Sequence, residues 1–308
     1  MTDLFSATAP ATAPVSGPVR VTATGTDTAS VPAPADAGGT RGWQPPAGIA
    51  PRGTLLLLPG RGEHPLVYER FGRRLSADGY VVHALDTTPD DNAEEILERA
   101  ADAAGPEPVG PVVLVGSDTG ALQALHTAVA AGPRLPVGGV VVAGAAPATE
   151  VAEPRPGPAT GTDPAVGIDP AVGTGARTGA DSSTAWDDEL AARTACPAHR
   201  KRLTEDEGFV RGRLTAPVPA RLLADARPDV PVLVLHGGTD PVTPPERARE
   251  LAARLPRATL GVVREGRHDV LNDASHRTTA AVLVLWLERL RADPELTPIL
   301  TVEQGAAL

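Results

Sequence analysis

Three residues of this chain stand where side chains do chemistry: Asp118, Asp240 and His268. Asp118 is the centre of "GSDTG", with Gly116 and Gly120 two residues to either side, inside a stretch, "VVLVGSDTGALQAL", that passes from a buried strand to a helix. A strand-to-helix turn that sharp strains the middle residue and pushes its side chain out at the top of the sheet. Glycine on either side removes Cβ atoms that would collide. Ser117 is out of register by one and is expected to point elsewhere. A carboxylate at the apex is already ionised near pH 7 and needs no base before it attacks. Its natural target is an sp³ carbon bearing a leaving group, or a strained ring, and the product is an alkyl–enzyme ester. Asp240, in "LHGGTDPVTPPERA", and His268, in "REGRHDVLND", each follow a strand-like run and supply an acid and a titratable base.

Apolar runs alternating with helical patterns must position these residues. "GTLLLLPG", "YVVHALD", "VGGVVVAG", "VPVLVLHGG" and "ATLGVVRE" read as strands. Between and after them come helical patterns, among them "VYERFGRRLSADG" with Val67, Phe71 and Leu75 on one face, "DDNAEEILERAADAAG", "PPERARELAARLP" and a closing "ASHRTTAAVLVLWLERLRAD". The alternation predicts an α/β fold, a doubly wound and mostly parallel sheet covered on both faces. "VRVTATG", residues 19–25, alternates like an antiparallel edge strand. The pattern breaks after the sixth or so strand and resumes about eighty residues later.

The chain accordingly divides into a tail (1–14), a first core part (15–146), a low-complexity insertion with two copies of "DPAVG" (147–185), a helical cap (186–228), a second core part (229–293) and a C-terminal tail (294–308). A cap in that position would lie over the strand ends, where open α/β sheets bind ligands.

A net charge of −10 and an aromatic content of 3% argue against nucleic-acid binding. Nearly all the positive charge is Arg, Lys201 being the only lysine, which reflects compositional bias. Cys196 is the single cysteine and is expected to be a small, partly buried side chain; with no partner it forms no intramolecular disulfide. No apolar run approaches the roughly 18 residues of a membrane span and the N-terminus lacks a secretory pattern, so a soluble cytoplasmic protein is expected, with no stable membrane insertion. No metal site or cofactor is called for, and "GRGEH" lacks the Lys–Ser/Thr of a phosphate loop. The expected partner is a small-molecule substrate.

The "GSDTG" turn resembles the nucleophile elbow of the α/β-hydrolase superfamily, and the resemblance runs from roughly Gly53 to Arg291. The run "LLLLPGRGEHPLVYERFGRRLSADGYVVHALD" looks like the oxyanion-loop region of the monoacylglycerol lipase and lysophospholipase-like branch. By that likeness the backbone N–H groups of Arg61 and Thr119 form an oxyanion hole, and Asp118, Asp240 and His268 occur in the order nucleophile, acid, base. The departure is the aspartate itself, where lipase-like relatives carry serine. Haloalkane dehalogenases and epoxide hydrolases carry aspartate, but Thr119 replaces the halide-donating Trp of the former, and Tyr68 and Tyr80 lie outside the cap that supplies tyrosines in the latter. The implied mechanism has His268 activating water against the ester while Asp240 fixes its tautomer, which predicts a pH limb near neutrality. Two alternatives stand beside it: an esterase-like or lyase-like relative in which Asp118 forms no covalent bond, and an inactive binding module on the same fold.

Of the remaining candidates, His64 is poised between lining the pocket and packing at a helix entry. The Arg61 side chain is expected to be solvated, Gln123 and His126 to pack or face solvent, and His236 to stand near Asp240. Trp186 is a candidate to close the cap, Trp286 a core residue, and Thr204–Glu207 a solvated face.

Overall fold

In the computed structural model, residues 39–147 and 179–300 are described. Among these residues seven strands form one sheet: β1 (Arg41–Trp43), β2 (Thr54–Leu58), β3 (Val81–Ala84), β4 (Val112–Ser117), β5 (Val137–Ala143), β6 (Val232–Gly237) and β7 (Ala258–Val263). Their order is β1-β3-β2-β4-β5-β6-β7, all parallel except β1, which pairs antiparallel with β3.

The antiparallel edge strand is thus Arg41–Trp43, which three residues could not announce through periodicity; the 19–25 segment lies outside the described residues. The sequence interruption falls after the fifth strand, not the sixth, among the described residues.

Each central strand is apolar on both sides because it has a core on each. On one face Leu55, Leu57, Val113, Val115, Leu233 and Leu235 pack with α1 (Glu69–Ala77) and α7 (His276–Ala292) through Phe71, Leu75, Leu283 and Trp286. On the other, Leu56, Leu58, Leu114, Val142 and Val234 pack with α2 (Ala93–Ala104), α3 (Thr119–Ala131) and α6 (Pro245–Arg254). The alternation follows the two-residue period of the strand. Local signals fix helix starts as well. Asn92 caps α2 by accepting from the N–H groups of Glu94 and Glu95, while the Glu95 carboxylate accepts from the Asn92 N–H.

The insertion returns as α4 (Gly179–Arg193) and α5 (Pro197–Glu205). α4 starts before the residue-186 boundary expected from composition, since "ADSSTAWDDELAAR" continues a helical turn upstream of the first large apolar residue. Trp186, Leu190, Leu203 and Phe209 join the α1/α7 core, so these helices are anchored to the body of the sheet. Trp186 packs against Phe209 with ring centroids 5.6 Å apart. No helix among the described residues is long and apolar enough to cross a membrane.

Candidate active site

β4 ends in Ser117, and the chain turns into α3 at Asp118, whose φ of 53° and ψ of −118° are unusual for a residue with a side chain. The turn is possible only because its flanks are bare. A Cβ on Gly116 would lie 2.1 Å from the Gly120 carbonyl oxygen, and one on Gly120 would lie 2.3 Å from that of Leu58. Ser117, one residue before the apex, is itself buried.

Loops after β6 and β7 bring the other two residues to the same place. The Asp240 carboxylate accepts from the N–H groups of Val242 at 2.8 Å and Thr243 at 3.1 Å through Oδ1, and its Oδ2 faces His268 Nδ1 at 2.8 Å. His268 Nε2 faces Asp118 Oδ1 at 3.2 Å. His236 completes this corner with Nε2 2.8 Å from the Thr243 carbonyl and 3.4 Å from Asp240 Oδ2. All three members are buried: Asp118 is 0%, His268 1% and Asp240 5% exposed.

Burial works against a charge on His268, but the hydrogen bonds and charges of Asp118 and Asp240 outweigh it and push the imidazole up to about 10. The direction favours the protonated ring, which donates from both nitrogens. Burial likewise opposes ionisation of Asp118, yet hydrogen bonds from His268 and Arg61 hold its carboxyl far below the ordinary carboxylate range. His268 thus lies between two carboxylates rather than one, and both favour its protonated form.

The Arg61 side chain, expected in solvent, is 4% exposed and clamps Asp118. Its Nε donates to Oδ2 at 2.8 Å and its Nη2 to Oδ1 at 2.7 Å, a bidentate pair, while its backbone N–H donates to Oδ2 at 2.9 Å. With His268, four donors occupy the carboxylate. The Arg61 N–H, named by resemblance as an oxyanion-hole donor, here donates to the Asp118 carboxylate; Thr119, the other donor so named, opens α3 and is fully buried.

Nothing in sequence pattern signals the clamp, because an arginine in a glycine-rich loop ordinarily snorkels to water. Here a second buried arginine fixes its main chain: Arg193 Nη2, from α4, donates to the Arg61 carbonyl at 2.7 Å. Arg193 is 0% exposed and also bonds Glu189 at 3.0 Å and Glu63 at 3.3 Å, with Asp269 at 3.5 Å. Glu63 in turn accepts from the Gly60 N–H at 2.8 Å and from the Tyr68 hydroxyl. Burial and the Asp269 charge raise its carboxyl to about 7, against the pull of Arg193. Glu63, Tyr68, Arg193 and Asp269 are thus parts of the site that sequence spacing missed.

His64 lines neither cleft beside the site and instead meets Asp206 Oδ1 at 2.9 Å, so the acid run Thr204–Glu207 is solvated except at Asp206. Gln123 packs rather than facing solvent, donating to the carbonyls of Thr88 and Asp91. Cys196 and Trp286 are buried, as expected. Among the described residues no group of His, Cys and carboxylates is arranged to hold a metal ion.

Two clefts reach the site, of about 620 Å³ and about 430 Å³. Arg61, Ala216 and Pro217 line both, whereas Asp118 and His268 line neither. Arg61 Nη1 donates to the Ala216 carbonyl, so the clamp is also part of the wall between the clefts.

The profile of an alpha/beta hydrolase family matches residues 55–282. The chain is similar in fold to a monoacylglycerol lipase from Paleococcus ferrophilus (19% identity, TM-score 0.54, covering 80% of this chain and 97% of that one). It is also similar to a soluble variant of the monoglyceride lipase from Saccharomyces cerevisiae, solved with a substrate analogue (17%, 0.55, 82% and 91%). A lipase-esterase related protein from Clostridium acetobutylicum gives 14%, 0.53, 80% and 98%. No curated protein matches the sequence.

Proposed function

We propose that this chain, which belongs to the alpha/beta hydrolase family and is a hydrolase by class, cleaves a small organic substrate through a covalent ester on Asp118. The observation that supports this reading is the continuous line Asp118, His268, Asp240, at 3.2 and 2.8 Å, with the carboxylate at the strained apex of the elbow.

In this mechanism the Arg61 guanidinium first swings off Asp118. A carboxylate oxygen then attacks the substrate carbon, the bond to the leaving group breaks, and the leaving group departs with the electron pair. Esterification removes the charge on Asp118. His268 keeps one carboxylate neighbour instead of two, its affinity for a proton falls, and its Nε2 proton passes to the departing group or, where that group leaves as a stable anion, to water that enters with it. The neutral imidazole takes a proton from water, which attacks Cγ of Asp118 while the Arg61 N–H holds the developing oxyanion. Cleavage of the Cγ–O ester bond releases an alcohol and restores the carboxylate.

The test is intact-protein mass spectrometry of His268→Gln incubated with alkyl halides, epoxides, lactones and esters, with His268→Gln/Asp118→Asn as control. An adduct that maps to Asp118 and is absent from the double variant is the expected result, and its mass gives the substrate class. Wild-type turnover of an ester that survives Asp118→Asn, with no adduct, overturns it.

One observation favours a second reading. All four acceptor positions of Asp118 are filled, the arrangement of a fixed electrostatic group. In that reading Asp118 forms no bond and only organises His268 and Arg61 for chemistry on an esterase-like or lyase-like substrate.

A further inference from the structure

We propose that Arg61 is the anion-binding group of the substrate site and that its ligand is a carboxylate carried on an apolar body. The proposal rests on the reading above only in holding that the two clefts deliver substrate to Asp118.

A guanidinium has five N–H donors. In Arg61 three are bound within the protein: Nε and Nη2 to Asp118, and Nη1 to the Ala216 carbonyl. The other two N–H groups have no acceptor among the described residues, although the residue is 4% exposed and faces the clefts. Arg61 is thus a buried cation with spare donors at the inner end of a cavity, whereas the carboxylate behind it is sealed off.

The chemistry of the larger cleft fixes the rest of the ligand. Its walls include Ala192, Leu214, Pro217, Val218, Val242 and Pro147, and 620 Å³ is within the range of small-molecule pockets. Two acids also line it. Glu189 is already occupied, accepting from Arg193 and from the N–H groups of Gly212 and Leu214. Asp188 is exposed to solvent. Arg61 is therefore the group in that cleft with donors left for an anion. One planar fork suits a carboxylate, which it can meet with two parallel hydrogen bonds.

Such a ligand also has a mechanical consequence. A carboxylate that takes the two spare N–H groups does not displace Asp118 or the Ala216 carbonyl from their donors, but as a second anion it attracts the guanidinium toward the cleft and away from both. Drawing Arg61 toward the cleft strips two of the four donors from Asp118 and removes the hydrogen bond that closes the wall between the clefts. The substrate's own charge would then expose the reacting carboxylate, so neutral molecules of the same shape would leave it clamped.

The experiment titrates the wild-type protein near neutral pH with sodium octanoate and with octanamide, which match in length and differ in charge, by isothermal calorimetry. Octanoate is expected to bind at least about tenfold more tightly, and Arg61→Gln to abolish that preference. The Arg61 Nε–H resonance in wild-type protein gives the same answer without a variant, shifting with octanoate and not with octanamide. Equal binding of the two compounds, a preference that survives Arg61→Gln, or no binding of octanoate at about 10 mM overturns the proposal. These measurements contain no covalent step. Octanoate preference without an Asp118 adduct in His268→Gln leaves the anion site standing and removes the ester mechanism; an adduct from a neutral electrophile without octanoate preference does the reverse.

Discussion

The Arg61–Asp118 pair can be weighed by a double-mutant cycle. Arg61→Met keeps the main-chain N–H and much of the stem but deletes the bonds at 2.8 and 2.7 Å and a cation whose side chain is 5% exposed. Breaking a buried ion pair from one side costs about 3–5 kcal/mol, because the remaining charge is stranded. Asp118 would still face the charged His268 at 3.2 Å, which puts the expected cost near the lower end, about 3 kcal/mol. Asp118→Asn strands the guanidinium instead and should cost about the same. The double variant removes both charges, so it should be less destabilised than the two singles added together, with a coupling of about 2–3 kcal/mol. Urea unfolding of the four proteins measures this directly. Additivity within about 0.5 kcal/mol would show that the clamp does not exist in solution and would falsify the account of how Asp118 stays buried and charged.

Three further outcomes follow from the same geometry. His268 is raised from its ordinary value to about 10, so the stability it contributes is fully present below about 6.5 and is lost as pH rises through about 10; unfolding free energy should fall across that window, and a slope unchanged in His268→Gln would contradict the assignment. Gly120→Ala drives a Cβ to within 2.3 Å of the Leu58 backbone oxygen and should destabilise by about 3 kcal/mol or more in urea; a change below about 1 kcal/mol would mean that the elbow relaxes freely. Arg193→Met leaves Glu189 and Asp269 without their shared cation and should cost about 3–5 kcal/mol, with faster amide exchange over residues 183–193; unaltered exchange there would show that the cap does not depend on Arg193.

What the sequence disclosed and what it hid differ in physical kind. The elbow was legible because steric exclusion writes itself locally: Gly116 and Gly120 are required by contacts with each other and with Leu58, all within one turn or one strand pairing. The continuous apolar runs of β2, β4, β5 and β6 announced two-sided burial for the same reason. The three-residue β1 was too short for periodicity to register. The charged network was illegible because its partners are far apart in the chain. Arg193 meets Arg61 across 132 residues and Glu63 across 130, and neither helix periodicity nor loop composition encodes such a meeting. A buried arginine also runs against the expectation that charged side chains reach water, and that expectation misplaced Arg61.

The two arginines explain why a carboxylate can sit at this apex at all. A serine there is neutral at rest and needs only a hydrogen-bond partner, whereas an aspartate brings a full charge into a site where its own exposure is zero. Charge of that kind persists only when it is paired and fully hydrogen-bonded. Arg61 and His268 do this for Asp118, and Asp240 holds His268 in place. Arg193, set among Glu63, Glu189 and Asp269, fixes the Arg61 main chain. The arrangement stabilises the resting ion and for that reason suppresses its reactivity, since every lone pair that could attack is engaged. Reactivity then depends on whatever competes for Arg61, and the spare donors of that guanidinium face the clefts rather than the sheet. Selectivity for an anionic substrate and activation of the nucleophile would on this argument be a single event at one side chain, so Arg61→Gln should not merely weaken binding. With the clamp gone, Asp118 should form adducts with neutral electrophiles in His268→Gln/Arg61→Gln at a faster rate than in His268→Gln alone, and a slower rate would place Arg61 among the groups that promote the attack instead of restraining it.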